Sequence, residues 1–343
     1  MKAVVSVLCF LLINLSVLGL NYKVLFIGNS YTEVNNLPQI ISDIASSMGD
    51  TIQFSSYTPG GCTFQQHVTG AASYIQQGDW DYVVLQEQSQ LPSFPIGQFM
   101  NESYPYAQQL VEMIRQYNPT AKVVFYMTWG RKNGDAQNAP YYPPLATYEG
   151  MDSLLYARYM MMAEDNHSWV SPVGYVWHYI RNHYPEIELY SADESHPSWY
   201  GSYAAATFYT VFFQKDPMNI TYHGSLDEGM VLPILETVKI CVFDSLFKWF
   251  ISDPPTQDTT DITHYSRSNT SIWYNYFNKT IEIETDIIQP YQISLYNLQG
   301  SRLCTCDVCQ PRFAITLAGI SEGCYIVQIL SSQLNLSKKI LIY

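Results

Sequence analysis

The chain has 343 residues, and 17 lysines and arginines stand against 30 aspartates and glutamates, a net charge of −13. This balance argues against nucleic acid as a partner, because phosphate recognition needs a basic surface. The length suits one large domain and a smaller one. Aromatic residues are abundant, with 29 Tyr, 15 Phe and 7 Trp; such rings suit stacking on sugars, although a role in the hydrophobic core is favoured.

The first twenty residues predict a secretory signal peptide. Lys2 is followed by an apolar run over residues 3–20, the pattern of a basic n-region and an apolar h-region. An uncleaved membrane anchor is the alternative, since the run is about long enough to span a bilayer. With a cleaved peptide, the mature protein is expected to be secreted or held at the cell surface.

Strands and helices alternate from residue 22 to about residue 250. The hydrophobic patterns predict strands over residues 22–27, 51–57, 81–85, 122–127 and 169–173. They predict helices over residues 36–47, 63–77, 104–117, 148–164, 175–183, 199–213 and 231–250. This alternation is typical of a parallel sheet with helices on both faces, and it predicts a three-layer α/β/α domain over residues 21–251.

Residues with reactive or polar side chains follow these predicted strands. The carboxyl ends of parallel strands share one edge of the sheet, where ligands bind. The residues that follow the first four strands are Ser30 and Tyr31, Gly60 and Gly61, Gln86, Glu87 and Gln88, and Trp129 and Arg131. A late loop adds Asp193 and His196. We therefore expect these residues to meet in space although they are far apart along the chain.

Three of these residues have the chemistry of a catalytic triad. A serine hydroxyl is a weak nucleophile and needs a base with a pKa near neutrality, so Ser30 is expected to pair with His196. Asp193 is then predicted to hold the other imidazole nitrogen. Taken singly, Ser30 is also explained as a helix-capping or turn residue, and Asp193 with His196 as a local loop hydrogen bond. The occurrence of all the blocks in this order favours the catalytic interpretation.

The blocks Gly28-Asn29-Ser30-Tyr31-Thr32, Gly60-Gly61, Gln86-Glu87-Gln88-Ser89-Gln90 and Asp193-x-x-His196 together resemble the SGNH (GDSL-type) hydrolases. The resemblance covers about residues 22–250 and implies a flavodoxin-like α/β/α fold without metal or cofactor. It implies Ser30 as nucleophile, His196 as base and Asp193 as the acid that orients it.

The resemblance also implies an oxyanion hole and a substrate site. The donors would be the Ser30 N–H, a backbone N–H of Gly60 or Gly61, and a side-chain amide of the third block. The asparagine usual in that block is missing, and the block is closer to the Gln-Gly-Glu-Ser of the carbohydrate acetylesterase branch; this favours Gln86, with Gln88 as second choice. The remaining candidates are expected to line the substrate: Tyr31, Glu87, Trp129 and Arg131.

These features predict a secreted serine esterase that removes acetyl or similar acyl groups, with an acylated glycan or another ester as its substrate. The alternative is a non-catalytic protein that keeps the fold and binds glycans or resides at the cell surface. The intact Ser30, Asp193 and His196 favour the enzyme.

A second domain follows a Pro- and Thr-rich linker over residues 252–261. From residue 262 the pattern predicts short strands over residues 280–285, 291–296, 312–317, 325–330 and 338–342. Segments 293–300, 320–325 and 338–343 resemble the C-terminal sorting domain of the Bacteroidetes type IX secretion system, which implies that this machinery is a partner. The alternative for residues 262–343 is a small all-β sandwich that binds carbohydrate or packs on the enzyme.

Two local motifs in this second domain are assigned no catalytic role. Cys304-x-Cys306-x-x-Cys309 with Cys324 invites a zinc interpretation, but the spacing is not that of a standard finger, and disulfides or free thiols are favoured. The segment 319–323 matches the G-x-S-x-G nucleophile elbow, which needs a helix after the serine. A strand-like pattern follows Ser321 instead, so a turn is predicted there.

Overall fold

The computed structural model describes residues 19–251, 270–275, 278–286, 290–297, 300–321, 323–331 and 334–342. The predicted linker and all but the last two residues of the predicted signal peptide lie outside these ranges. Within the described ranges, no helix combines the length and the apolar character needed to cross a membrane.

The first sheet is parallel and has five strands, as predicted. They are β1 (Asn21–Ile27), β2 (Thr51–Tyr57), β3 (Tyr82–Leu85), β4 (Lys122–Tyr126) and β5 (Trp169–Ser171), in the order β2-β1-β3-β4-β5. Every residue of β3 is buried, which explains its continuous apolar sequence, because a central parallel strand is covered on both faces. In this strand order the direction of winding reverses between β1 and β3, and ligands of such sheets bind at that point.

The helices of this domain largely follow the predicted periodicity. They are α1 (Ser30–Glu33), α2 (Leu37–Ser47), α3 (Phe64–Gly70), α4 (Ala72–Gln76), α5 (Ile96–Glu102), α6 (Tyr104–Tyr117), α7 (Tyr148–Asp165), α8 (Val173–His183), α9 (Trp199–Tyr203), α10 (Ala206–Phe213) and α11 (Glu228–Cys241). Short 3-10 helices cover Val34–Asn36, Leu91–Ser93, Pro143–Ala146, Pro217–Asn219 and Phe243–Trp249.

Three predicted helices are each interrupted in the structure. The predicted helix 63–77 is divided into α3 and α4 at Ala71, and the predicted helix 199–213 is divided into α9 and α10. The predicted helix 231–250 begins earlier, at Glu228, and passes into a 3-10 helix after Val242. The sequence did not predict these breaks, because no proline stands at them and the apolar periodicity continues across them.

The C-terminal residues form two antiparallel sheets. Their strands are β6 (Thr270–Asn275), β7 (Thr280–Thr285), β8 (Tyr291–Asn297), β9 (Arg302–Val308), β10 (Arg312–Thr316), β11 (Gly323–Leu330) and β12 (Asn335–Ile342), in the orders β10-β7-β6 and β12-β11-β8-β9. Ile283 of one sheet and Leu295 of the other share one buried core, as in a sandwich. The prediction missed β6 and β9.

This β-sandwich packs against α7 through a buried ion pair. Arg158 of α7 donates a hydrogen bond to Glu284 of β7, and the two side chains are 0% and 5% exposed. The Arg158 guanidinium lies 5.4 Å from the ring centroids of both Phe99 and Trp273. The Tyr142 hydroxyl donates a second hydrogen bond to Glu284, at 2.5 Å. The two parts of the chain therefore share a desolvated contact.

Candidate active site

The turn between β1 and α1 holds Ser30 in a rigid environment. Asn29 caps α1, because its Oδ1 accepts a hydrogen bond from the Tyr31 N–H at 3.2 Å. The buried Gln86 side chain accepts from the Asn29 N–H at 3.0 Å and donates to Asn29 Oδ1 at 2.9 Å. A Cβ on Gly28 would lie 2.6 Å from Gln86 Oε1, so this close approach requires glycine. Gln86 and Asn29 together fix the backbone that carries Ser30.

Asp193 and His196 lie in one tight turn, and the histidine reaches Ser30. His196 Nε2 is 2.8 Å from Ser30 Oγ, and His196 Nδ1 is 2.5 Å from Asp193 Oδ2. The other Asp193 oxygen accepts the backbone N–H groups of Ser195 and His196 at 3.1 and 2.9 Å, an arrangement typical of an Asx turn. Glu194 adopts a positive φ of 60° to close the turn. The three residues are therefore within hydrogen-bond reach in the order that acyl transfer needs.

The hydrogen bonds around Asp193 favour its ionised form. Burial alone would raise the pKa of Asp193, but hydrogen bonds from the His196 side chain and from the His196 and Ser195 backbone hold the pKa below its ordinary value. An ionised Asp193 can fix the imidazole tautomer that has its free nitrogen toward Ser30.

A stack of aromatic rings packs against the turn that carries Asp193 and His196. Tyr31 and Trp129 stack with ring centroids 4.9 Å apart, and Trp129 stacks on Trp177 at 3.7 Å. Tyr31 also meets the His196 ring edge-on at 5.3 Å. The Trp129 Nε1–H donates to the Ser195 carbonyl oxygen at 3.1 Å. The stack thus anchors the loop that carries His196, and the sequence interpretation missed this support.

A cavity of about 150 Å³ opens above the serine. Its lining residues are Asn29, Ser30, Tyr31, Gly61, Gln88, Ser89, Arg131, Ser195 and His196. Of the two predicted glycines, Gly61 lines the cavity and has a φ of +68°, a conformation that favours glycine. Gly60 is exposed and does not line it. The prediction did not include Asn29, Ser89 and Ser195, whose only signal is their position beside predicted site residues.

Gln86, the amide that the sequence favours for the oxyanion hole, directs its side-chain hydrogen bonds to neighbouring residues of the protein. Its side chain is 0% exposed, and its amide nitrogen donates both to Asn29 and to the Glu87 carbonyl oxygen. No amide hydrogen is left for a substrate oxygen, because an amide has two. Gln88 lines the cavity, and its only amide donation among the described residues is to Gln90, at 3.1 Å. Gln88 is therefore better placed to donate into the cavity.

Two predicted substrate-lining residues, Glu87 and Trp129, are buried below the cavity. Trp129 is 1% exposed within the aromatic stack, and Glu87 is 0% exposed. The Glu87 carboxylate accepts hydrogen bonds from the Phe64 N–H at 2.8 Å and the Ser103 hydroxyl at 2.7 Å. Burial raises the pKa of Glu87 to about 7, although these hydrogen bonds oppose the shift. Tyr31 and Arg131 do reach the cavity.

Three cysteines of the second-domain cluster, Cys304, Cys306 and Cys309, lie along β9 or directly after it. Among the described residues, no group of three or more His, Cys, Asp or Glu side chains is arranged to hold a metal ion. Cys304 and Cys306 alternate along β9 and pack partly buried against the second core, whereas Cys309 is exposed, and all three are free thiols. Ser321 is followed by strand β11 and not by a helix, so segment 319–323 is not a nucleophile elbow.

Comparisons with known proteins find similarity in both parts of the chain. Residues 271–343 match the sequence model of the secretion system C-terminal sorting domain. This domain indicates handling by the type IX secretion system and a location outside the cell or at its surface. The resemblance predicted from the C-terminal segments is thereby confirmed. None of the curated proteins matches the chain.

Solved structures resemble the N-terminal part. A DUF4886 family protein from Bacteroides uniformis is 17% identical, with a TM-score of 0.57 over 66% of this chain and 96% of that one; this match shows a common fold. A candidate SGNH hydrolase from Slackia heliotrinireducens is 23% identical, with a TM-score of 0.46 over 55% and 97%. A mutant of an acetylxylan esterase from Geobacillus stearothermophilus is 14% identical, with a TM-score of 0.38 over 60% and 96%.

Proposed function

We propose that this protein is a secreted serine esterase that hydrolyses acetyl or similarly short acyl esters, with Ser30 as its nucleophile. The observation that carries the proposal is the continuous chain of hydrogen bonds from Ser30 Oγ through His196 to Asp193, at 2.8 and 2.5 Å. To activate a serine hydroxyl, the base must lie within hydrogen-bond reach of the serine, and the acid that orients the base must lie within hydrogen-bond reach of the base.

The proposed reaction has two steps with one base. His196 Nε2 takes the proton of Ser30 as Oγ attacks the acyl carbonyl, and it then gives that proton to the leaving alkoxide, which departs as an alcohol. The acyl group is left on Ser30. Water then attacks the acyl-enzyme, its proton passes through His196, and the acid and the free serine are released.

The oxyanion that forms in each step needs hydrogen-bond donors. Helix α1 begins at Ser30, and the first N–H groups of a helix have no partner within it. We assign the oxyanion hole to the Ser30 N–H, the Gly61 N–H and the Gln88 amide, because these three residues line the cavity.

The cavity size and one exposed ring support a short acyl group and a sugar. Pockets that enclose drug-sized ligands measure roughly 300–1,000 Å³, whereas this cavity measures about 150 Å³. Trp199, three residues beyond His196 along the chain, is 59% exposed. An exposed indole ring suits stacking on the apolar face of a sugar.

Hydrolysis of 4-nitrophenyl acetate and labelling by a fluorophosphonate test the proposal. The wild-type protein should hydrolyse the ester and be labelled at Ser30, and Ser30→Ala should lose both properties. Ser321→Ala is the matched control, since Ser321 lies in the G-x-S-x-G segment of the second domain and should be dispensable. Activity that survives Ser30→Ala would refute the proposal. Sugar binding without turnover in the wild type would instead indicate a glycan-binding protein.

A further inference from the structure

Arg131 is the only lysine or arginine among the described residues that line the cavity of Ser30 and His196. No aspartate or glutamate is among these lining residues. The Arg131 side chain is 28% exposed, so solvent or a ligand can reach it. In a chain of net charge −13, this places one fixed positive charge beside the serine.

The Arg131 guanidinium has unused hydrogen-bond donors. An arginine carries five N–H donors, and Nη1 makes one contact of 3.4 Å to Asp135 Oδ1. Its Nε is buried and has no hydrogen-bond partner in the described part of the chain. The contact with Asp135 is an ion pair, but Arg131 is not the only partner of Asp135, because Gln90 and Asn138 donate to its other oxygen at 2.5 and 2.8 Å.

The backbone around Arg131 is firmly held. The Gly130 N–H donates to Asp152 Oδ1 at 3.0 Å, and a Cβ at Gly130 would lie 2.9 Å from the Tyr148 carbonyl oxygen. The Lys132 N–H donates to the Glu194 carbonyl oxygen at 2.9 Å. The loop of Arg131 is thereby joined to the turn that carries His196.

The strand order locates Arg131 relative to the two halves of an ester. Gly61 follows β2, on one side of β1, whereas Arg131 follows β4, on the other side. The axes of β1 and β4 are two strand spacings apart, which is about 10 Å. His196, joined to the Arg131 loop, is the group that must protonate the leaving alcohol. Arg131 therefore lies on the alcohol side of the ester, in the same cavity as the nucleophile.

We propose that Arg131 binds a carboxylate on the alcohol part of the substrate, so that the preferred substrates are acyl esters of acidic sugars of the uronic acid type. The inference rests on the esterase function proposed above. A planar guanidinium with free donors matches a carboxylate in a bidentate pair, and the charge attracts it.

A matched pair of sugar esters tests the inference. Methyl galacturonoside and methyl galactoside, each carrying one acetyl group on the same hydroxyl, differ only in the carboxylate. The wild type should show a kcat/KM about ten- to hundredfold higher for the acidic ester, the range expected for hydrogen bonds to a charged group. Arg131→Gln should bring the ratio of the two kcat/KM values close to one. Arg131→Lys should retain part of the ratio, because it keeps the positive charge but loses the planar guanidinium that binds a carboxylate with two parallel hydrogen bonds.

Lys132→Gln is the matched control. It also removes one positive charge, but the Lys132 ammonium pairs with Glu188 and does not line the cavity. The wild-type ratio should persist in this variant. Added salt should lower the wild-type ratio, because ions screen a partly exposed charge pair.

The outcomes separate this inference from the proposed function. A wild type that hydrolyses neither 4-nitrophenyl acetate nor either sugar ester would overturn the esterase function itself. Equal kcat/KM values for the two sugar esters, with 4-nitrophenyl acetate hydrolysed, would overturn the inference and leave the esterase standing. The inference would also be overturned if Arg131→Gln lowered kcat equally for both sugar esters, because the arginine would then assist the reaction itself and would not recognise the carboxylate.

Discussion

Replacing Glu284 by alanine is expected to lower the free energy of unfolding by about 3–5 kcal/mol, the usual result of removing one partner from a buried ion pair. The change leaves the Arg158 guanidinium 0% exposed without its carboxylate. Arg158 has no compensating acceptor at hand, because its Nε and Nη1 already lack partners in the described part of the chain. The Ile96 N–H, 3.3 Å from Glu284 Oε1, also loses its acceptor.

A double-mutant cycle separates the pair from its surroundings. Arg158→Met should also be destabilising, because it leaves the buried Glu284 carboxylate without its partner. The double variant Arg158→Met with Glu284→Leu removes both buried charges. Its free energy of unfolding should lie within about 1 kcal/mol of the wild-type value, or exceed it. Lys338→Gln is the control, because Lys338 pairs with Glu164 across the same contact at 3.4 Å with side chains 28% and 53% exposed. Its loss should cost less than about 1 kcal/mol.

Urea-induced unfolding, followed by tryptophan fluorescence, measures these differences. Glu284→Ala and Lys338→Gln with equally small effects would show that the Arg158–Glu284 pair is not desolvated in solution. A double variant as unstable as the sum of the single variants would contradict the buried-charge explanation.

Three further predictions concern the supports of the site. Burial raises the pKa of Glu87 from 4.5 to about 7, so between these pH values the folded state keeps a proton that the unfolded state releases. As pH rises from about 4.5 to 7, urea titrations should therefore show the wild type losing roughly 3 kcal/mol of unfolding free energy relative to Glu87→Gln. A difference between the two proteins that does not depend on pH would disprove this. Gly28→Ala should cost about 1–3 kcal/mol of stability and lower kcat, because the new Cβ would lie 2.5 Å from Thr32 Oγ1 and 2.6 Å from Gln86 Oε1; unchanged urea unfolding and kcat would mean that these neighbours give way without cost. Gln88→Glu keeps an acceptor oxygen but loses the amide donor, so kcat for 4-nitrophenyl acetate should fall about 10²- to 10³-fold. If this variant kept the kcat of the wild type, Gln88 would not be part of the oxyanion hole.

Much of the fold could be predicted from local pattern alone. The five parallel strands were predicted from their hydrophobic patterns, and the structure confirms them. The signal is clearest for β3, an apolar run that is buried along its whole length, as a central strand covered on both faces requires. Two strands of the second domain were missed: β6 lies at the edge of a three-stranded sheet, and β9 carries polar and cysteine residues. The identity of the second domain was predicted correctly from its segments, as the sorting-domain match shows.

The positions of the two glutamine side chains in the third block could not be predicted in this way. Gln86 and Gln88 have the same side chain two positions apart, and on a continuing strand they would face the same side. The strand ends at Leu85, however, and the chain then turns, so Gln86 is buried under Asn29 while Gln88 lines the cavity. The side-chain directions at such a turn depend on the neighbouring strands and loops.

Local patterns in the sequence were enough to predict the alternation of strands and helices in the first domain, the residues that stand at its strand ends, and the two-part organisation of the chain. These follow from periodicity and spacing, which are local properties. Two features emerge only from the packing of the folded chain: Glu87 and Trp129 are buried, and Glu284 reaches Arg158 across 126 positions. Burial and pairing of that kind depend on which distant segments pack together, and no local pattern records it.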